Sequence, residues 1–359
     1  MRKPFKHLAN LLRFNRGAEI PTTGPIKAEW EIINTCNAKC LTCLHWKEKS
    51  DSKILSTAQG KSLIQQLARS GLLNLYFTGG EPLLRKDLAE LLSYAKKYGL
   101  STALVTNGLL ITERRARELV DTKLDTIYIS IDAAEADLND EIRGLNGYFD
   151  LALAAIDNLK SMRRNGNPRI FIKATISCKN VDQIVPLAKL ANRKGIEGFS
   201  FQLAQLLKNA NFIFDESLLL GQQNRHVFVE QMELLVKSFS HLLTGSIEYY
   251  QALQDYVTNP ESLQKYRSIS GFSFVQIDPY GRIFTCPAKD NQIGDFREDT
   301  FEKIWFGQIA NNLRQEKEAN VKSSYLFETL GNMNVAVSDL SLKRFFKLVR
   351  PILNGAKLF

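Results

Sequence analysis

Between residues 26 and 205, short apolar runs alternate with amphipathic stretches about six times. The runs at 26–33, 72–77, 101–105, 126–131, 170–176 and 198–203 have the length of strands. The stretches at 56–69, 84–98, 113–120, 148–165 and 184–194 place apolar residues three and four apart, as with Leu63, Ile64 and Leu67, and predict helices. Apolar strands separated by helices imply βα units and a parallel sheet covered on both faces. The pattern predicts an α/β protein whose first part, residues 26–210, is a partial parallel (β/α)6 barrel. Residues 211–272 are less regular and mainly helical, as over 227–243, and read as a connector. Alternation then returns at 273–278 and 282–286 around Pro279-Tyr280-Gly281, which predicts a hairpin. With the loop and helix over 293–315, this gives a small hairpin-helix extension spanning 273–335.

The two ends have a different character. Phe5, Leu8, Leu11 and Leu12 share one helical face, and so do Leu342, Phe345, Phe346 and Val349. Residues 1–20 carry a net +4 and residues 340–359 a net +5, which accounts for the whole formal charge of +9. The body is therefore neutral, and no nucleic-acid-binding surface is expected. Segments 1–25 and 336–359 read either as basic interfacial helices on anionic lipid or as terminal helices packed on the body with solvated faces. Pro351 should end or kink the second. A hydrophobic content of 44% suffices for a sizeable core, and no apolar run reaches the ~20 residues of a bilayer span. The expected location is the cytoplasm, with membrane association through the termini as an option.

The candidate chemistry sits after the strands. Cys36, Cys40 and Cys43 follow the first strand with the spacing C-x3-C-x2-C. Three close thiolates can hold an iron–sulfur cluster and leave one iron open, since a cubane normally takes four. Structural disulfides are disfavoured by an odd count of five cysteines without an export signal. A zinc site of three cysteines and His45, two residues beyond Cys43, is the rival, and it would make the chain a non-enzymatic scaffold. Gly79-Gly80-Glu81-Pro82 follows the second strand, Asn107 the third, and Ser130 and Asp132 the fourth. Ligands of parallel sheets bind at these carboxyl ends.

The C-x3-C-x2-C run followed by Gly-Gly-Glu-Pro resembles the radical S-adenosylmethionine (SAM) superfamily. The resemblance implies one [4Fe–4S] cluster on Cys36, Cys40 and Cys43, with SAM on the open iron. It implies reductive cleavage of SAM to methionine and a 5′-deoxyadenosyl radical, which abstracts hydrogen from an unidentified peptide, glycan or lipid. It further implies a low-potential electron donor, flavodoxin or ferredoxin. By similarity, Gly79 and Gly80 let backbone approach the methionyl group, Glu81 places the SAM amino group, and Arg143 holds the SAM carboxylate. Asn107, Ser130 and Asp132 sit where relatives bring polar groups to SAM, with a ribose hydroxyl as the partner expected for Asp132. Thr42 stands where the superfamily usually has an aromatic residue, Met or His, so the adenine contact departs from the pattern. Residues 277–287, 293–296 and 301–305 with Arg314 resemble the SPASM/twitch extension. That extension normally carries cysteines for auxiliary clusters, and here Cys286 alone falls in it, with Cys178 far upstream. A reduced extension without its own cluster is therefore expected, with Cys178 and Cys286 as ordinary thiols. The catalytic acid or base is left unassigned.

Overall fold

The structure is a computed structural model that describes residues 3–48, 53–205, 215–289, 291–316 and 328–338. A terminal helix, α1 (Lys3–Asn15), leads into the alternating part. There β1 (Lys27–Glu31), α2 (Thr57–Ser70), β2 (Asn74–Thr78), α3 (Leu88–Lys97), β3 (Ser101–Thr106), α4 (Glu113–Asp121) and β4 (Thr126–Ser130) follow in order. Two helices come next, α5 (Ala136–Arg143) and α6 (Tyr148–Met162), then β5 (Arg169–Ile176), α7 (Ile184–Lys194) and β6 (Gly198–Leu203). The connector holds α8 (Arg225–Phe239) and α9 (Ile247–Thr258). The extension holds β7 (Phe274–Ile277), β8 (Arg282–Phe284), β9 (Gln292–Asp295), α10 (Phe301–Phe306) and α11 (Gln308–Gln315), and α12 (Glu328–Ser338) follows. All six expected core strands form, and each is parallel to its neighbour.

The strands make one nine-stranded sheet in the order β6-β5-β4-β3-β2-β1-β7-β8-β9. Among the described residues no further strand follows β6, which makes an isolated bridge from Phe199 to Leu243, so the barrel stays open. The hairpin extends this sheet: β7 pairs in parallel with β1, from Lys27 opposite Phe274 to Trp30 opposite Ile277. The extension is thereby anchored to the strand that feeds the cysteine run.

Period-two alternation divides the strands. Trp30, Leu75, Phe77, Leu104, Ile127, Ile129, Ile170 and Ile172 are buried on the helix-covered face. The other face carries a separate cluster of Tyr76, Ala103, Tyr128 and Phe171. Tyr128 stacks between Tyr76 and Phe171 at 6.1 and 5.4 Å, and Lys27 Nζ lies 3.3 Å from the Tyr76 ring centre. This face thus combines aromatic rings with the Lys27 ammonium.

Two expectations need correction. The periodicity does not predict helix α5, because eight residues are too few for a clear stripe. Its one strong signal is Gly144, which caps it at φ 66° just after a basic last turn. Helix α1 forms, but rotated. It buries His7, Asn10, Leu11 and Phe14, while Phe5 remains 44% exposed. The cause is polar: His7 Nε2 bonds the Gly71 carbonyl at 2.8 Å, and Asn10 Oδ1 accepts from the Thr22 N–H at 2.8 Å. Phe14 packs on Phe272 at 4.8 Å. The terminal helix expected over 342–349 lies outside the described residues.

Candidate functional site

Two backbones meet at the carboxyl ends of β1 and β2. The Gly80 N–H donates to the Ile33 carbonyl at 2.8 Å, and the Glu81 N–H donates to the Thr35 carbonyl at 2.7 Å. These bonds prolong the β1–β2 ladder into the segment that carries Cys36. A Cβ at Gly79 would sit 2.3 Å from the Ile33 carbonyl oxygen, and one at Gly80 would sit 2.0 Å from that of Thr35. The Cβ side of both glycines is therefore occupied by the segment that leads into the cysteines. The pair is glycine because two chains cross there. Gly144 does the same on the other flank, where a Cβ would meet the Lys39 carbonyl oxygen at 2.2 Å. The Leu41 N–H donates to the Ile142 carbonyl at 2.9 Å. The cysteine run is therefore clamped between the β2 turn and the end of α5.

Cys40 is buried, and Cys36 and Cys43 are half-buried. Burial pushes the Cys36 thiol up to about 11 and the Cys43 thiol up to about 12, and it raises Cys40 as well. Such thiols need a bound metal to be held as thiolates. The sulfurs are also supplied with donors. Backbone N–H groups of Ala38 and His45 serve Cys36 and Cys43. Asn107 Nδ2 lies 4.0 Å from Cys36 Sγ, and Arg143 Nη1 lies 3.8 Å from Cys40 Sγ. Three thiols in one clamped loop, each facing an N–H, fit an iron–sulfur cluster.

The zinc alternative is not what the geometry gives. The His45 Nδ1 contacts the Asn34 carbonyl oxygen at 3.3 Å. Burial lowers its pKa, and Glu31 and Lys289 are the charges beside it. Among the described residues, no three His, Cys, Asp or Glu side chains are placed to hold a single metal ion.

The remaining candidates divide. Glu81 is fully buried and its carboxylate is engaged within the protein. It accepts from the Leu83 N–H at 2.9 Å, the Thr106 hydroxyl at 2.7 Å and the Asn107 N–H at 2.7 Å. Burial pushes it up to about 6 against these donors. Asn107 also bonds Asn37 Oδ1 at 2.7 Å, inside the cysteine run. Asp132 is fully buried: one oxygen accepts from the Thr175 N–H at 2.7 Å and the other lies 2.7 Å from Arg143 Nε. Ser130 is half-buried at the end of β4, and its carbonyl accepts from the Tyr148 hydroxyl at 3.0 Å. Thr42 is buried at 6% exposure.

Several participants had no distinctive signal in the sequence. Asn139 Oδ1 accepts from the Asp132 N–H at 2.9 Å, and Asn180 Nδ2 donates to the Asp132 carbonyl at 2.8 Å. Tyr148 lies under the Arg143 guanidinium at 5.6 Å. From the extension, Lys289 Nζ reaches Glu31 at 2.7 Å, Gln276 bonds the same carboxylate at 3.2 Å, and the Tyr280 hydroxyl accepts from Asn34 at 3.0 Å. Of these, Tyr280 stands in the hairpin turn Pro279-Tyr280-Gly281.

Comparison with known proteins gives the same picture. The radical SAM superfamily profile matches residues 30–172, and the SPASM profile, an iron–sulfur cluster-binding domain, matches residues 269–324. The mycofactocin maturase MftC of Mycobacterium tuberculosis is 31% identical over 324 residues, covering 87% of this chain and 77% of that protein. The Fe-coproporphyrin III synthase of Methanosarcina barkeri is 32% identical over 298 residues, covering 77% and 72%. Among solved structures, Streptococcus suis SuiB bound to S-adenosylmethionine superimposes with a TM-score of 0.66 over 98% of this chain and 78% of that one. At 17% identity that likeness shows the fold. With an open parallel barrel, a clamped three-cysteine loop and these relatives, the chain belongs to the radical SAM superfamily and carries a SPASM-type extension.

Proposed function

We propose that this radical SAM enzyme works with a single [4Fe–4S] cluster held by Cys36, Cys40 and Cys43. The observation that carries the reading is the clamped cysteine loop, with an N–H at every sulfur. When bound, the cluster supplies the electron that cleaves SAM to methionine and a 5′-deoxyadenosyl radical. Ser130 and the backbone of Gly79, Gly80 and Glu81 border the place where SAM would sit. Glu81 acts there through the Asn107 N–H and the Thr106 hydroxyl that it fixes. The concave face of Tyr76, Tyr128 and Phe171 lies below and closes off water from that side. The electron comes from a low-potential donor of the flavodoxin or ferredoxin type.

The single-cluster count rests on Cys286. It is 4% exposed and packs with Leu11, Phe14, Ile269, Phe272 and Phe274. Those apolar neighbours suit a buried thiol. Cys178 instead donates to the Ser217 carbonyl at 3.0 Å. For the substrate we infer a peptide rather than a glycan or lipid. The PqqA peptide cyclase of Bradyrhizobium diazoefficiens is 27% identical to this chain, and SuiB has been solved with its precursor peptide SuiA. The lipid reading loses support because the buried face of α1 is spent on the body. Among the described residues, no helix is long and apolar enough to cross a membrane.

The test is anaerobic reconstitution, an iron count, and mass spectrometry for 5′-deoxyadenosine after dithionite and SAM are added. About 4 irons per chain, with a product that vanishes in Cys36→Ala, is the expected result. About 8 irons would overturn the single cluster. A colourless zinc protein without product would overturn the reading altogether.

A further inference from the structure

The concave face ends in polar side chains. At the carboxyl ends of β4, β5 and β6 it carries Ser130, Thr175 and Gln202, all three half-buried. The placement of Gln202 follows from the period of two. Phe201 and Leu203 join the helix-covered core, so Gln202 between them points to the other face. Thr175 stands opposite Gln202 in the β5–β6 register. Both are firmly mounted. The Thr175 N–H donates to Asp132 at 2.7 Å, and its carbonyl accepts from Asn180 Nδ2 at 3.1 Å. The Ala204 N–H donates to the Ile176 carbonyl at 2.7 Å, which carries the ladder past Gln202. Among the described residues, neither the Gln202 amide nor the Ser130 and Thr175 hydroxyls have a hydrogen-bond partner. Lys173, one row below, is engaged: its Nζ bonds Ser200 Oγ at 3.4 Å and lies 5.7 Å from the Tyr128 ring centre. The groups left over at the strand ends are therefore neutral.

We propose that Gln202 is a specificity-determining residue that receives a main-chain amide of the peptide substrate, with Thr175 beside it. The inference rests on the peptide reading above. A carboxamide carries an acceptor and two donors in one plane, so it can accept from a peptide N–H and donate to a peptide carbonyl. Half-burial removes part of the water that would otherwise serve the amide. Leaving it unbonded then costs free energy, which a bound peptide group returns. Strands hold such a group more precisely than loops do. The sheet order also suits the task, because β4, β3 and β2 stand between β5 and β1. A peptide held at β5 and β6 leaves the β1–β2 end, where the cysteines are, to the cofactor.

The experiment measures the binding of two probes to anaerobically reconstituted enzyme with SAM, by calorimetry. One is N-acetyl-phenylalanine N-methylamide, whose ring suits the stack of Tyr128 and Phe171. The other is N-acetyl-phenylalanine methyl ester, in which oxygen replaces the N–H. Wild type is expected to bind the amide about tenfold more tightly than the ester. Gln202→Leu should bring that ratio within about twofold. Gln202→Glu keeps an acceptor for the N–H and should keep the preference. A merely structural role would weaken both probes together and leave the ratio alone. A Leu variant with the wild-type ratio overturns the proposal, and so does wild type that binds neither probe. Lost SAM affinity in the Leu variant with the ratio intact would overturn it too and give Gln202 to the cofactor. Should the Leu variant fail to load iron, Gln202→Met, of similar length, is read in the same way. Wild type that forms no 5′-deoxyadenosine with dithionite and SAM would sink the radical reading itself. Wild type that forms it but shows no amide preference would sink only this inference.

Discussion

A methyl group at Gly80 would lie 2.0 Å from the Thr35 carbonyl oxygen, which is backbone and cannot swing aside. Gly80→Ala must therefore push the cysteine segment away from the β2 turn. The expected cost is about 3 kcal/mol or more, read as a fall in unfolding midpoint together with lost iron uptake. Unchanged iron loading would show that the crossing does not set the cysteine geometry. One residue further on, Glu81 gives a pH signature. Its ordinary value of 4.5 is pushed up to about 6 by burial. A carboxyl raised on folding contributes stability that is fully present below pH 4.5 and lost as pH rises through 6. The loss is roughly 2 kcal/mol, at about 1.4 kcal/mol per unit. The buried His7 and His45 act oppositely, because lowered histidines lose stability as pH falls. Comparing urea midpoints of wild type and Glu81→Gln across pH 4.5–7.5 isolates the carboxylate. The variant should lack the wild-type decline, and parallel curves would refute the assignment.

At the scale of elements, the extension grips the barrel through one buried ion pair. Lys289 Nζ sits 2.7 Å from Glu31, with side chains 11% and 7% exposed. Lys289 takes φ 58°, a left-handed backbone uncommon for lysine, and this aims its ammonium at β1. Lys289→Met would leave Glu31 buried without its cation, at a cost of about 3–5 kcal/mol. The double variant Glu31→Gln with Lys289→Met should recover most of that. A double variant no better than the single one would show that the pair is not the coupling. Helix α1 is joined to the end of the connector by Arg267, whose guanidinium lies 4.2 Å from the Phe14 ring centre and bonds the Ala18 carbonyl at 3.0 Å. Its registration depends on partners that are themselves polar or aromatic. A search for leucines three and four apart finds the helix and picks the wrong face.

For the whole molecule, the nine-stranded sheet makes barrel and extension one continuous surface, and Cys286 lies in its apolar seam with α1. Cys286→Ser should leave the iron count at about 4 per chain and lower stability modestly by burying a hydroxyl there. A loss of iron in that variant would reveal a second cluster. Local pattern and composition were enough to determine the six strands, their parallel order, the hairpin and the family-bearing cysteines. Those features depend on period, turn chemistry and spacing, which are properties of neighbours along the chain. The reasons behind individual site residues were not legible. That Ile33–Thr35 crosses Gly79 and Gly80 closely enough to require glycine cannot be read from the pair itself. That Asp132 and Arg143 lie 2.7 Å apart is not visible in their spacing along the chain. Lys289 has no motif at all. Each of these roles is set by a group distant in sequence, so only tertiary packing decides which partner a buried charge meets, and burial makes that choice energetically binding.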